Sequence, residues 1–501
     1  MTRARIFTDT MAELGLNGRI QSLIGGVLMD GQGEDIPLID PYTEEELTRY
    51  ADADAALATR ACDAAARAQR VWMGDFTAAG RGQVMQDAAR AITAHAEPLA
   101  RLDALIAGKP IRDCRVEIAK VAEMFAYYAG WADKLHGEVI PVPSGHLTYT
   151  IREPLGVVFQ ITPWNAPAFT GGWQIAPAIA AGNGVVIKPS ELTPATTVAL
   201  VKLAEGAGLP PGLVNVLAGL GTTAGQAAIA HPATQKGIFV GSPGTGRRVA
   251  VAAAEALTPC VLELGGKSAN IVFDDADLKA ACLGAQAAIF SGAGQSCVAG
   301  SRLLVQEGIQ SALTEMLATG MNAIRLGDPL DEDTEIGPVG NAAQLAHIRR
   351  VLDGAQHDGA DLLTRDSVPD RGFFVAPTVL AGLGNRSLPA MTEIFGPVVT
   401  TIPFADEEEA VSLANDTVFG LAGAVWTQDV GRAHRMAASV QAGTFWVNSY
   451  KAIHVSVPFG GSGQSGYGRS SGLDALMEYT APKAVWLDAA PVPRIAFGYT
   501  S

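Results

Sequence analysis

From Gly156 onward the chain repeats one pattern that few folds accept: a short, continuous apolar run followed by a helix-length segment. Residues 157–161, 185–188, 214–217 and 237–240 are the strand candidates, with helices following through residue 178 and over 194–206, 223–230 and 246–256. A strand that is apolar on both faces must be covered on both, and parallel neighbours need a long crossover between them. The repeat therefore implies a parallel sheet clothed by helices. A second α/β series begins at Ser268, with strands expected over 301–305, 398–404, 423–426 and 444–447. A chain of 501 residues, 48% of them hydrophobic, is expected to need at least two such cores.

The flanks read differently. Residues 55–70, 78–100 and 113–135 are alanine-rich, with charges three and four apart, as in packed surface helices. Between 137 and 152, Pro141, Pro143 and Gly145 separate two β-prone runs, 138–142 and 147–152, which suggests a hairpin-like arm. Residues 484–487, ahead of Pro491 and Pro493, are expected to form a terminal strand and a tail against another subunit.

Composition removes several function classes. The excess of 51 Asp and Glu over 36 Lys and Arg gives a net charge of −15 without like-charged blocks, which argues against nucleic acid or an anionic membrane as partner. Cysteines 62, 114, 260, 282 and 297 form no CxxC or CxxH pattern, so no metal is expected and a reducing compartment fits best. Residues 1–17 mix arginines with Asp9 and Glu13, unlike a secretory signal, and apolar runs such as 175–187 are interrupted by Pro177 and Asn183. A bilayer span needs about 20 apolar residues, so a cytoplasmic protein is expected.

Two segments carry the chemistry. Gly294-Gln295-Ser296-Cys297-Val298 sets a thiol in small, uncharged surroundings that a carbonyl compound can approach closely, and Glu263-Leu264-Gly265-Gly266-Lys267 offers a carboxylate base. Each half alone is weak. Most intracellular cysteines are small buried hydrophobes, and a glutamate before Gly-Gly can simply end a strand at a turn. Two glycine-rich turns compete for a dinucleotide phosphate. Gly219-Leu220-Gly221-Thr222-Thr223-Ala224, with Gly225 next, fits the dinucleotide fingerprint; Gly241-Ser242-Pro243-Gly244 also joins a strand to a helix, with Ser242 able to cap it. Lys188-Pro189-Ser190-Glu191 ends a buried strand, so Glu191 is placed for ribose hydroxyls, unless Lys188 and Glu191 form only a surface ion pair.

Pro163-Trp164-Asn165, Lys188-Pro189-Ser190-Glu191, Val240-Gly241-Ser242, Glu263 to Lys267, Gly294 to Cys297, Glu393-Ile394-Phe395-Gly396-Pro397 and Asn448 with Pro458-Phe459-Gly460-Gly461 follow one another in the order seen in NAD(P)-dependent aldehyde dehydrogenases of the non-acylating, hydrolytic type. From about residue 20 to its end the chain resembles that superfamily. The resemblance implies an α/β fold with a Rossmann-type parallel-sheet cofactor domain over 1–136 and 153–265. It further implies an α/β catalytic domain over 266–479 and a small β oligomerisation arm from 137–152 and 480–501, in a homodimer or homotetramer. Cys297 would attack the aldehyde, Asn165 and the Cys297 N–H would hold the oxyanion, and Glu263 would activate the water that hydrolyses the thioester. NAD would be the cofactor, with NADP possible; the residues implied to bind it are Ile161, Thr162, Pro163, Trp164, Lys188, Ser190, Glu191, Gly221, Gly225, Gly241, Ser242, Leu264, Gly265, Glu393 and Phe395. Phe169, Trp173, Ser296, Val298, Lys451 and Phe459 would line the aldehyde funnel, with Ala166 leaving one wall open.

There are departures and alternatives. The family's acidic contact after Gly241-Ser242 is missing, and Pro243 stands where it can pre-set the helix instead. Lys451 and His454 are either solvated loop residues or contacts to a substrate carboxylate. No aromatic cage for a quaternary ammonium is evident near Ala166. A coenzyme A-acylating semialdehyde dehydrogenase is the second enzymatic reading, disfavoured by Glu263, and a non-catalytic protein that kept the fold is the third.

Overall fold

In the computed structural model, which describes residues 2–488, the first α/β series forms one eight-stranded sheet. Its order across the sheet is Gly466–Tyr467, Cys260–Glu263, Thr234–Val240, Val157–Ile161, Gly184–Lys188, Val214–Val216, Ser22–Ile24 and Val27–Met29. The strands from Cys260–Glu263 through Val214–Val216 run parallel, and the outer ones are antiparallel. All five residues of Gly184–Lys188 are buried, as a strand covered on both faces requires.

The order of these strands positions the site. After Val157–Ile161 the chain adds Gly184–Lys188 and then Val214–Val216 on one side, and returns to add Thr234–Val240 and Cys260–Glu263 on the other. The connections leaving Ile161 and Val240 therefore diverge, opening a crevice at the carboxyl ends of these neighbouring strands, where doubly wound sheets take ligands.

The second series makes a seven-stranded sheet in the order Asp361–Thr364, Thr378–Ala381, Val398–Phe404, Arg302–Gln306, Ala269–Val272, Ala422–Trp426 and Thr444–Val447, parallel except at the Asp361–Thr364 edge. A third, antiparallel sheet joins Thr480–Leu487, Leu147–Pro154 and Val139–Ile140. The expected hairpin is there, and the terminal strand begins at Thr480 rather than 484. The remainder of the expected arm, 489–501 with Pro491 and Pro493, lies outside the described residues.

Several expectations are corrected. The helix expected over 78–100 is two, Ala78–Ala94 and Ala96–Ala107, because His95 leaves helical geometry (φ −113°, ψ 22°) and its ring Nδ1 lies 2.9 Å from the Ala91 carbonyl. The helix expected over 113–135 runs Ile111–Ala129, entering after Pro110 and stopping at Gly130. Two antiparallel hairpins went unread. One, Ser22–Ile24 with Val27–Met29, turns at Gly25 and Gly26, both at positive φ (61° and 81°), a signature of a tight hairpin turn. The other pairs Asp35–Ile39 with Glu46–Ala51. Among the described residues no helix is long and apolar enough to cross a membrane.

Candidate active site

Cys297 sits on a loop that few sequences can hold. Gly292, Ala293 and Gly294 adopt positive φ in succession (63°, 54° and 70°), a conformation that costs a non-glycine residue on the order of 1 kcal/mol. Gln295 fastens the loop from within: its Oε1 accepts the Gly340 N–H at 2.8 Å and its Nε2 donates to the Gly292 carbonyl at 3.2 Å. Asn165 joins the same loop, donating from Nδ2 to the Gln295 carbonyl at 2.8 Å. That bond uses one of its two amide hydrogens.

The thiol is half-buried. Burial pushes it up to about 12, and the carboxylates of Glu393 and Glu263 push the same way, against the backbone N–H groups of Val298 and Cys297. At neutral pH Cys297 is therefore a thiol, and its ionisation needs a base or an added positive charge.

Glu263 closes the strand Cys260–Glu263 and is buried. Its Oε1 accepts from the Ser470 hydroxyl at 2.8 Å, while Oε2 has no partner. Burial raises its pKa to about 8, and the Ser470 hydrogen bond and Arg469 oppose that rise. A carboxylate with a free oxygen and a pKa near neutrality has the properties of a general base. Gly460 makes room for it: a Cβ there would lie 3.0 Å from Oε1.

The two glycines after Glu263 do more than turn the chain. A Cβ on Gly265 would strike the Glu393 carboxylate, and one on Gly266 would lie 2.5 Å from the Cys297 carbonyl. Glu393 Oε1 accepts the Gly266 N–H at 3.1 Å, and burial raises this acid to about 7. Beside it Lys267 is buried, its ammonium has no hydrogen-bond partner, and burial pulls it down to about 7.

Several of the residues expected around a dinucleotide lie at or just beyond the carboxyl ends of the strands that flank the crevice. Ile161 ends its strand, and Thr162, Pro163 and Trp164 follow it; the buried Thr162 hydroxyl has no partner. Trp164 packs edge-on against Phe395 with centroids 5.5 Å apart, and Phe395 itself takes a positive φ of 54°. Ser242 caps the helix Pro243–Glu255, accepting from the Thr245 N–H at 3.4 Å, with Pro243 in the first turn as expected. Leu264 continues from Glu263 and donates its N–H to Ser465 at 3.0 Å. Lys188 is buried rather than superficial, donating to the Pro189 and Gly219 carbonyls at 2.7 and 3.0 Å, with Glu191 3.6 Å away. Ser190 is buried beside it, and its hydroxyl accepts the Leu192 N–H at 3.3 Å. Gly221 and Gly225 bound a π-helical turn, with Gly225 against the Lys188 stem.

The expected funnel residues split into two groups. Phe169, Trp173 and Phe459 stack in series, with centroids 5.0 and 5.8 Å apart. Val298 is buried with Trp446 and Leu421 in the cluster against which Cys297, Tyr450 and Phe459 pack, and Ser296 is half-buried. Lys451 is not a solvated loop residue: it is half-buried, and its ammonium donates to the Ser291 hydroxyl at 2.8 Å. His454 faces outward instead, its Nε2 2.7 Å from Glu123.

Ser470, Gln295, Tyr450 and Asp52 were not singled out from sequence. Tyr450 donates to the Val298 carbonyl at 3.0 Å; Asp52 accepts from the Leu220 N–H and the Thr223 hydroxyl, both at 2.7 Å. Gln295 was visible inside the cysteine segment, but Ser470 and Asp52 meet their partners only through the fold and carry no local signal.

Replacing Ser470 by Ala removes a hydrogen bond to the ionised form of Glu263, so the Glu263 pKa rises. A rate that needs this carboxylate ionised increases as pH passes its pKa, so the rising limb of the kcat–pH profile moves to higher pH by no more than about one unit. An unmoved limb would remove Glu263, as held by Ser470, from the base's role.

A profile of the aldehyde dehydrogenase family matches residues 28–485. A betaine aldehyde dehydrogenase of Cereibacter sphaeroides is 41% identical over 93% of this chain and 97% of its own length. A (Z)-2-((N-methylformamido)methylene)-5-hydroxybutyrolactone dehydrogenase of Acinetobacter baylyi is 40% identical over 95% and 98%. The structure of PnpE from Pseudomonas sp. WBC-3 in complex with nicotinamide adenine dinucleotide superposes with a TM-score of 0.92 at 43% identity, covering 94% of this chain and 99% of that one. The motif order, the two largely parallel sheets and these likenesses have one explanation: the chain belongs to the aldehyde dehydrogenase family.

Proposed function

We propose that this protein oxidises an aldehyde to a carboxylic acid with NAD+, using Cys297 as nucleophile and Glu263 as the base for hydrolysis. What supports this reading most is that the Asn165 amide donates to the Gln295 carbonyl, two residues before Cys297, and that Gly266, three residues after Glu263, packs against the Cys297 carbonyl. The crevice suits a dinucleotide: Thr162 offers an unpartnered buried hydroxyl, Ser242 caps a helix N-terminus suited to a phosphate, and Glu191 stands beside Lys188 at a strand end. When bound there, NAD+ supplies the hydride acceptor and a positively charged ring.

The Cys297 sulfur, once ionised, adds to the aldehyde carbon to give a thiohemiacetal. Asn165 and the Cys297 N–H stabilise its oxyanion. Loss of hydride leaves a thioester on Cys297. Glu263, with its free Oε2, takes a proton from water as that water attacks the thioester, and the thiol leaves with the acid released. Because Glu263 supplies this step, coenzyme A is not required, which separates this reading from the acylating one. A protein that only kept the fold has no use for all three residues.

We read residues 1–136 and 153–265 as the dinucleotide-binding domain, 266–479 as the catalytic domain, and 137–152 with 480–501 as an oligomerisation arm. In the arm's sheet Val139, Ile140, Leu147, Trp486 and Leu487 are exposed, which favours burial against another copy in a homodimer or homotetramer. The free cysteines fit a cytoplasmic setting.

NADH release from an aldehyde panel without coenzyme A tests the reaction. Wild type turns over, and Cys297→Ala does not. Glu263→Gln gives a burst of one NADH per site and then stalls, and Asn165→Ala loses roughly 10²–10³-fold in kcat. Turnover only with coenzyme A would replace this reading with the acylating one. For the cofactor, Glu191 favours a 2′-hydroxyl over a 2′-phosphate, so kcat/KM is higher with NAD+ than with NADP+, and Glu191→Ser narrows the gap; a wild-type preference for NADP+ overturns the assignment. Light scattering should give a solution mass of two or four chains, and a monomer would remove the role assigned to the arm.

A further inference from the structure

We infer that this enzyme selects aldehydes bearing an anionic group, a carboxylate above all, a few bonds from the carbonyl, and that Lys451 is the residue that selects them. The inference rests on the reading of Cys297 as nucleophile.

Lys451 lies where such a group would arrive. Its ammonium donates to the neutral Ser291 hydroxyl at 2.8 Å, at the head of the turn Ser291–Gly294 that leads into Cys297, and a charge on the Cys297 sulfur would favour its protonated form. Among the described residues no carboxylate lies within salt-bridge distance of it, although acids are near. Those acids are already engaged. Glu117 pairs with Lys109, and Asp113 lies 3.3 Å from Arg112. A half-buried ammonium without a counterion has lost hydration that nothing in the protein restores, and an anionic substrate group restores it.

The backbone supplies a second, independent observation. Lys451 adopts a positive φ of 58°, in the left-handed region that costs a long side chain on the order of 1 kcal/mol. The fold keeps that strain at a residue whose side chain then points inward to Ser291. A solvated loop lysine has no such requirement. The rings of Phe169, Trp173 and Phe459 alone would accept neutral or cationic aldehydes, so the ammonium decides between charges.

Three probes of different charge test this: succinic semialdehyde, butanal and betaine aldehyde. In wild type, kcat/KM is expected to be highest for the semialdehyde and lowest for betaine aldehyde. In Lys451→Met the semialdehyde-to-butanal ratio of kcat/KM falls roughly tenfold or more, mainly through KM, and the betaine aldehyde-to-butanal ratio rises. Lys451→Arg restores the order, and added salt compresses it in wild type but not in Lys451→Met. Equal losses on all three substrates, or a wild-type preference for betaine aldehyde, overturn the assignment. If wild type oxidises none of the probes or any other aldehyde, the underlying reading of the site fails instead.

Discussion

The site depends on a close approach that only residues without side chains permit. Between Glu263, the end of one sheet's last parallel strand, and Ala269, the start of the other sheet's first, the chain crosses from one layered unit to the next. Gly265 and Gly266 make that crossing so tight that a methyl group on either would meet Glu393 or the Cys297 carbonyl. The loop of Cys297 and the strand of Glu263 are thereby brought close together. Gly466–Tyr467, arriving from beyond the second sheet, pairs with Leu262 and Glu263 and braces the crossing from the far side.

This closeness has an electrostatic consequence. Cys297, Glu263 and Glu393 are groups that become anionic in one partly desolvated space, and burial raises the pKa of each. They cannot all ionise together, because each charge raises the cost of the next. The arrangement suits a reaction in which the thiolate and the glutamate carboxylate act at different stages, with charge arriving in the ligands. Ser470 eases ionisation of Glu263, while Asn165 ties the loop of Cys297 to the strand end at Ile161 through the Gln295 carbonyl.

Sequence legibility followed the range of the forces involved. Buried parallel strands are predominantly apolar and β-branched, so 157–161 and 398–404 were readable to the residue even with Gln160, Thr400 and Thr401 inside them. The break at His95 was not, since an alanine-rich pattern continues across it and the backbone there departs for geometric reasons. The cysteine, asparagine and glutamate were legible because they stand in short motifs whose order is distinctive. Ser470 and Asp52 were not, because a lone serine or aspartate acquires its role only when folding brings a distant partner to it. Lys451 was half-legible: its chemistry was visible, but the positive φ that turns it inward was not.

Asp52 also explains why a formal motif match needs structural context. The turn beginning at Gly219 fits the dinucleotide fingerprint, yet it follows Val214–Val216, away from the point where the strand order reverses. Its Leu220 N–H and Thr223 hydroxyl are both spent on Asp52. The turn at Gly241-Ser242 matches the fingerprint less well but lies beside the crevice, and its helix begins at Ser242 with first-turn amides that need acceptors. Topology thus sets the second turn, rather than the first, beside the crevice. The first serves to hold Lys188, whose ammonium donates to the Gly219 carbonyl, in place beside Glu191.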